Sequence, residues 1–192
     1  MLNCKISHPI SGACDTNVSG VRRVAFANYS ENYKFTTSSD GCEVDTIDLG
    51  EGEKVYEVNI MDNTGVATAT LTVGANNDSK YFQHSVGGTI AKLDCELLND
   101  YKNWALAHLI AFVQTKNGDV FVFGADNGLA ATTFEYTTGT AEGDATGVAF
   151  VLEGAQKNAP LKVKDWSVVK ALMGDKAQSG GGSGVGHYVN VV

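Results

Sequence analysis

The side chains in this chain most able to hold a metal or act as nucleophiles are four cysteines, Cys4, Cys14, Cys42 and Cys95, and four histidines, His8, His84, His108 and His187. Cys4, His8 and Cys14 fall within eleven residues of one another. Thiolate and imidazole ligands that close together suit zinc, but the spacing is not that of a finger, and no CxxC pair or evident fourth ligand accompanies it. The cysteines are therefore expected to be free thiols, mostly buried and behaving as small hydrophobes. The acidic window of residues 40–62 could hold a hard cation such as calcium, yet it lacks the alternating Asp-x-Asp-x-Asp-Gly loop that would gather the oxygens. The Gly-rich stretch at 179–186 has no Gly-Lys-Ser/Thr, so it is not a phosphate-binding loop. GxSxG, HExxH and a strand–helix GxGxxG are all absent from the sequence. The chain is expected to carry no catalytic, cofactor-binding or metal residues, and no cofactor.

Charge carries more information than chemistry here. The 192 residues have a net charge of −8, which argues against a conventional nucleic-acid-binding surface. Asp40, Glu43, Asp45, Asp48, Glu51, Glu53, Glu57 and Asp62 are opposed in their window by Lys54 alone. Near the C-terminus Lys157, Lys162, Lys164, Lys170 and Lys176 outnumber Asp165 and Asp175. Two solvated faces would explain this asymmetry. A dipolar subunit would explain it too, with an acidic part that meets a basic neighbour or lines a channel.

The elements that position these groups read as strands. Two prolines, 22 glycines and abundant Thr and Val favour strands and turns over helices. No apolar run approaches the roughly 20 residues of a membrane span, and the N-terminus lacks the apolar stretch of a secretory signal, so synthesis in a reducing cytosol is expected. Residues 1–20 read as a short strand followed by loops. Val21 to Ala27 is a strand, and residues 42–49 are a weaker one. Residues 54–73 read as a hairpin turning at Asp62-Asn63-Thr64-Gly65, with Ala67, Ala69, Leu71 and Val73 buried and Thr68, Thr70 and Thr72 on a polar face suited to a wet wall, an interface or plain solvent. Residues 80–93 form a long strand with a bulge or bend expected at Gly87-Gly88.

Two helices are expected. Asp94 to about Ala107 carries an apolar stripe through Leu97, Leu98, Tyr101, Trp104, Ala105 and His108, with Asp94 as its N-cap. His108, at the end of the stripe, is expected to cap or pack. Asp165 to Met173 is a shorter helix with Trp166, Val169 and Leu172 inward.

Residues 109–115 and 119–125 flank Lys116-Asn117-Gly118-Asp119. Asn-Gly between strand-like runs signals a hairpin with a type I′ turn, which needs positive φ at both central residues. Almost every position in its strands is apolar, so burial on both faces is expected. Phe134 and Tyr136 alternate with Thr133, Glu135 and Thr137, residues 137–147 form a loop, and residues 148–153 are the last core strand.

From residue 94 to 160 the chain resembles the tail tube proteins of tailed bacteriophages, especially gut Bacteroides-type phages. The resemblance rests on the helix, the Asn117-Gly118 hairpin, Asp126-Asn127-Gly128-Leu129, Thr138-Gly139, Asp144 and Gly147. It implies a mostly β fold, a β-sandwich or small barrel with one flanking helix, to which the sequence adds a short C-terminal helix. It also implies a virion structural protein with no enzymatic activity, made in the host cytoplasm and resident in the viral tail. Its copies would self-assemble into stacked, hexameric rings, a conduit through which genomic DNA passes without specific binding. Partners would be further copies of itself and other tail proteins, with no membrane. Residues 1–178 would be one domain and residues 179–192 a Gly-rich linker plus a C-terminal strand or arm. Interface or lumen candidates are Glu43, Asp45, Asp48, Glu51, Glu53, Thr68, Thr70, Thr72, Tyr188, Val189 and Val191. A ring, collar or tail-hub protein of a short-tailed phage, or the inner tube of a contractile injection system, is an alternative within the resemblance. A monomeric β-sandwich binding module is the alternative outside it; such a module would be expected to expose aromatics, whereas Trp104 and Trp166 are placed on inner helix faces.

Overall fold

A computed structural model describes residues 17–39, 41–74, 79–91, 102–139 and 146–173. Cys4, His8 and Cys14, together with Cys95, the first helix up to Tyr101, Asp144, the Gly-rich segment, and Tyr188, Val189 and Val191 lie outside them.

The fold is mostly β, in two packed sheets. The larger has strands β1 (Val21–Asn28), β2 (Lys34–Thr37), β3 (Val44–Asp48), β4 (Tyr56–Val58), β7 (Leu109–Thr115), β8 (Val120–Phe123) and β11 (Leu161–Val163), in the order β2-β3-β11-β8-β7-β1-β4. The smaller has β5 (Val66–Val73), β6 (Lys80–Ile90), β9 (Ala130–Thr137) and β10 (Gly147–Gln156), in the order β5-β6-β10-β9. Every pairing is antiparallel except β3 with β11. Residues 102–106 are helical (α1), and α2 spans Trp166–Lys170.

β7 and β8, and β1 from Val24 to Ala27, are buried on both faces, as their apolar runs require. Alternate residues of the large sheet supply two cores. Val24, Phe26, Ala111, Val113 and Phe123 face the small sheet and meet Val86, Val148, Phe150 and Leu152. Ala25, Ile110, Phe112, Val120 and Val122 face the other way and are covered by Trp166 and Val169 of α2. Asp165 caps α2 by accepting the Ser167 N–H at 2.7 Å. Leu172, expected on the inner face, is half-buried beyond the end of α2. Trp104 of α1 closes one flank of the sandwich, edge-on to Phe26 with ring centroids 5.0 Å apart. His108 is exposed, and its backbone carbonyl accepts the Tyr29 N–H at 2.8 Å.

Several local expectations are corrected. Residues 54–73 are not a hairpin: β4 pairs with β1 in the large sheet and β5 with β6 in the small one. The Asp62–Gly65 turn exists, with Asn63 at φ 63°, but it passes the chain between layers. There the Met61 N–H donates to Thr89 O and the Thr89 N–H to Thr64 Oγ1. A turn signal reports a reversal of direction and does not say which strand receives the chain.

The Asn117-Gly118 hairpin forms, but only Gly118 has positive φ, at 101°. With Gly118 N–H bonded to Thr115 O, the loop is a type I turn followed by a glycine bulge rather than a type I′ turn. Gly87 and Gly88 mark no bulge, and β6 is paired in unbroken register through both. They allow close packing instead: a Cβ on Gly88 would lie 3.2 Å from Ile60 Cγ2, and one on Gly87 3.0 Å from Phe150 O. Cys42 is exposed because it sits in the bend before β3.

Candidate functional site

The small sheet has one face on the core and one on solvent. Register places Thr68, Thr70 and Thr72 of β5 beside Ser85, Gln83 and Tyr81 of β6. Thr89 and Ser85 of β6 in turn sit beside Ala149 and Glu153 of β10, and β9 adds Thr133, Glu135 and Thr137. The outward face is thus rich in hydroxyls and small side chains, with Val66, Tyr81 and Val151 set among them. Its charges are Glu135 and Glu153, both acidic, and it carries no Lys or Arg. Period-2 alternation in each strand writes this face, and antiparallel register aligns the four stretches.

Both margins of the sheet are open among the described residues: β5 pairs only with β6, and β9 only with β10. β5 reads Val-Ala-Thr-Ala-Thr-Leu-Thr-Val, eight residues with no charge and no proline. Such an edge offers a ready template for another strand. The expectation that Ala67, Ala69, Leu71 and Val73 are buried fails here. They point to the core side, but Leu71 and Val73 are 54% and 55% exposed because β5 runs out past the cover of the large sheet. Thr68 and Thr70 are exposed and Thr72 is half-buried.

The acidic candidates are elsewhere. Glu43 and Asp45 lie at and beside β3, in the large sheet, half-buried. Lys162 of β11 reaches Glu43 at 3.0 Å and Asp119 at 3.5 Å, and Lys164 approaches Asp45 at 3.8 Å. The hydrogen bond to Glu43 raises the Lys162 pKa. Part of the acidic window and part of the basic C-terminal cluster therefore meet within one subunit. Asp48, Glu51 and Glu53 remain exposed in and after β3, with no ion pair among the described residues. Burial, with Glu53 adding to it, pushes Tyr33 up to about 12.

Two buried polar residues, singled out by no motif, organise the end of the sandwich. Gln156 is fully buried; its Oε1 accepts the N–H groups of Asp126 and Asn127 at 2.9 and 3.0 Å, and its Nε2 donates to Gly128 O at 2.8 Å. The Asp126 carboxylate accepts the N–H groups of Lys157 and Asn158, both at 3.0 Å. The Asp126-Asn127-Gly128-Leu129 stretch is thus a locked turn. Its sequence signal was the Asn-Gly pair, whereas Gln156 and His84 gave none, because a lone polar residue in a strand reads the same exposed or buried. Among the described residues no group of three or more His, Cys, Asp or Glu side chains is placed to hold a metal ion, and no helix is long and apolar enough to cross a membrane. No family model, curated protein or solved structure matches the chain.

Proposed function

We propose that this chain is a structural protein of a phage virion whose copies close into rings, hexameric on the resemblance, that stack as a tail tube and conduct DNA. The observation that carries the reading is the small sheet, with its two open margins and its cation-free, hydroxyl-rich face. Joining β5 of one copy to β9 of the next would satisfy both rows of unpaired backbone groups, and closing the ring would leave the small sheet no edge. The threonine face would then form the wall. DNA is held on proteins chiefly by Lys and Arg neutralising phosphates. A wall of Thr, Ser and Gln with Glu135 and Glu153 offers no cation to neutralise a phosphate, so the genome could slide past. Asp48, Glu51 and Glu53 would be left for a basic neighbour in an adjoining ring or another tail protein.

A monomeric binding module gains little from the surface. The exposed large aromatics among the described residues are Tyr56 and Tyr136, which sit on different sheets and form no platform. Light scattering and negative-stain imaging of the purified chain test the proposal. Rings or tubes are expected, and a strictly monomeric species at high concentration would sink it. Imaging of the particle that carries the protein separates a long tube from a collar, a tail hub or a contractile-system inner tube.

A further inference from the structure

We infer that Asn117, at the tip of the β7–β8 hairpin, is a site of spontaneous covalent modification. Its side-chain amide is lost through attack by the Gly118 nitrogen, while the fold protects the same dipeptide at Asn127-Gly128. Asparagine is a thermolabile residue. A glycine after it has no side chain to shield the nitrogen or to restrict the turn that attack requires. The chain has two such pairs, Asn117-Gly118 and Asn127-Gly128.

In the reaction the Gly118 nitrogen gives up its proton and bonds to Asn117 Cγ. Nδ2 leaves with that proton as ammonia, and a succinimide ring closes. Water then opens the ring at either imide C–N bond. Breaking the bond to Cγ gives aspartate. Breaking the bond to the Asn117 main-chain carbonyl carbon gives isoaspartate, with the chain rerouted through Cβ and Cγ. Water enters, ammonia leaves, and nothing is oxidised or reduced.

The two pairs are held differently. Asn117 and Gly118 are both exposed, and a Cβ on Gly118 would meet nothing within 4 Å. Gly118 N–H donates to Thr115 O at 3.1 Å. Asn117 Oδ1 accepts the Val18 N–H at 2.9 Å, and its Nδ2 donates to Asn17 Oδ1, both on the exposed surface. Loop tips open locally at low cost, and opening this one frees the nitrogen and the amide together without uncovering the core. Asn127 is exposed as well, but Gly128 is buried, and a Cβ on it would lie 3.0 Å from Tyr29 Cγ. Asn127 N–H donates to Gln156 Oε1 at 3.0 Å, its Nδ2 to Ala155 O at 2.7 Å, and Gly128 N–H to Gly124 O at 2.9 Å. Attack there also pulls Gly128 O away from the buried Gln156 Nε2, so the end of the sandwich must open first.

The product changes what the hairpin tip holds. Aspartate at position 117 keeps an acceptor for Val18 N–H, loses the donor to Asn17 and adds a negative charge to a turn that already carries Asp119. Isoaspartate lengthens the main chain between Thr115 and Asp119, where the Thr115 N–H donates to Asp119 O at 2.8 Å and closes the hairpin. Modification therefore weakens the tether between residues 17–18 and the β7–β8 turn. The turn belongs to the large sheet, so the inference stands apart from whether copies join through the small one.

Peptide mapping by mass spectrometry, on the full-length chain incubated at mildly alkaline pH, tests it; isoaspartate is read by enzymatic methylation of its carboxylate. In the folded chain, product at Asn117 is expected to accumulate at least about tenfold faster than at Asn127. In guanidinium, with the fold removed, the two rates are expected to become comparable. Gln156→Ala, kept below its thermal midpoint, is expected to raise the rate at Asn127 and leave that at Asn117 unchanged. Equal rates at the two positions in the folded chain, faster conversion at Asn127, or an Asn117 that stays intact in the folded chain while the unfolded chain converts would each overturn the inference. An unchanged Asn127 rate in folded Gln156→Ala would overturn the protection assigned to the locked turn.

Discussion

His84 Nδ1 accepts the backbone N–H of Gly124 at 3.3 Å, tying β6 of the small sheet to the end of β8 in the large one. An imidazole that accepts through Nδ1 is neutral and carries its proton on Nε2. The ring is buried and edge-on to Phe123, with centroids 5.4 Å apart. Among the described residues Nε2 makes no well-formed hydrogen bond, and the small cavity that His84 lines is shared with Tyr33, Asp126 and Asn158. Burial lowers the His84 pKa, against a smaller opposing pull from the Asn158 carbonyl and Asp126.

Acid should therefore weaken this joint. The unfolded chain takes up a proton near pH 6.5, whereas folded His84 does so only at lower pH. The neutral ring's contribution is thus complete above about pH 6.5 and is lost as pH falls below that value, at no more than about 1.4 kcal/mol per pH unit. Thermal midpoints measured from pH 7.5 to 5.5 should fall for the unaltered chain and run flatter for His84→Gln. Equal slopes for the unaltered chain and His84→Gln would refute the assignment.

Gln156→Ala should be among the most damaging substitutions at a polar position. It strands two N–H donors in a partly buried turn and one buried carbonyl, each costing up to about 1–3 kcal/mol when left unpaired away from water. Some relaxation is expected, so a loss of about 2–4 kcal/mol should appear in denaturant unfolding. Gln156→Glu keeps the acceptor for Asp126 and Asn127 and can donate to Gly128 O only while protonated, so its stability should fall as pH rises above the carboxyl's pKa. A loss below 1 kcal/mol for Gln156→Ala would mean that the turn holds itself.

Gly154→Ala addresses the same corner through sterics. A Cβ there would lie 2.3 Å from Gly128 O and 3.3 Å from Leu129 Cδ2. The backbone of the locked turn would have to move, with a cost of about 1–3 kcal/mol as for other overpacked sites. A crystal structure of a variant of unchanged stability, with Gly128 undisplaced, would contradict the close approach.

Thr70→Lys puts a flexible cation on the open margin of the small sheet. Charged residues on edges block strand addition, while an exposed β position tolerates them within about 0.5 kcal/mol. The subunit should keep its thermal midpoint and lose the capacity to form rings. Rings of normal size from this variant would remove the sheet margin from the assembly reading.

The strand-rich class, the doubly buried β7–β8 hairpin and a short helix beginning near Asp165 were legible in the sequence. Each rests on a local rule: period-2 alternation, unbroken apolar runs, or a helical apolar stripe. The threonine face was half legible, since Thr68, Thr70 and Thr72 announce a polar side of β5, but Ser85, Glu135 and Glu153 join them only through register across three other strands. Partnership was decided by the tertiary structure. Residues 54–73 carry every mark of a hairpin, and the choice between pairing β4 with β5 or with β1 depends on contacts far off in the chain. The same holds for Leu71 and Val73, apolar in pattern yet exposed, because burial is set by how far the opposite sheet extends. Gln156 and His84 acquired their roles only when folding removed water from around them and made each hydrogen bond to the Gly124–Gly128 turn count.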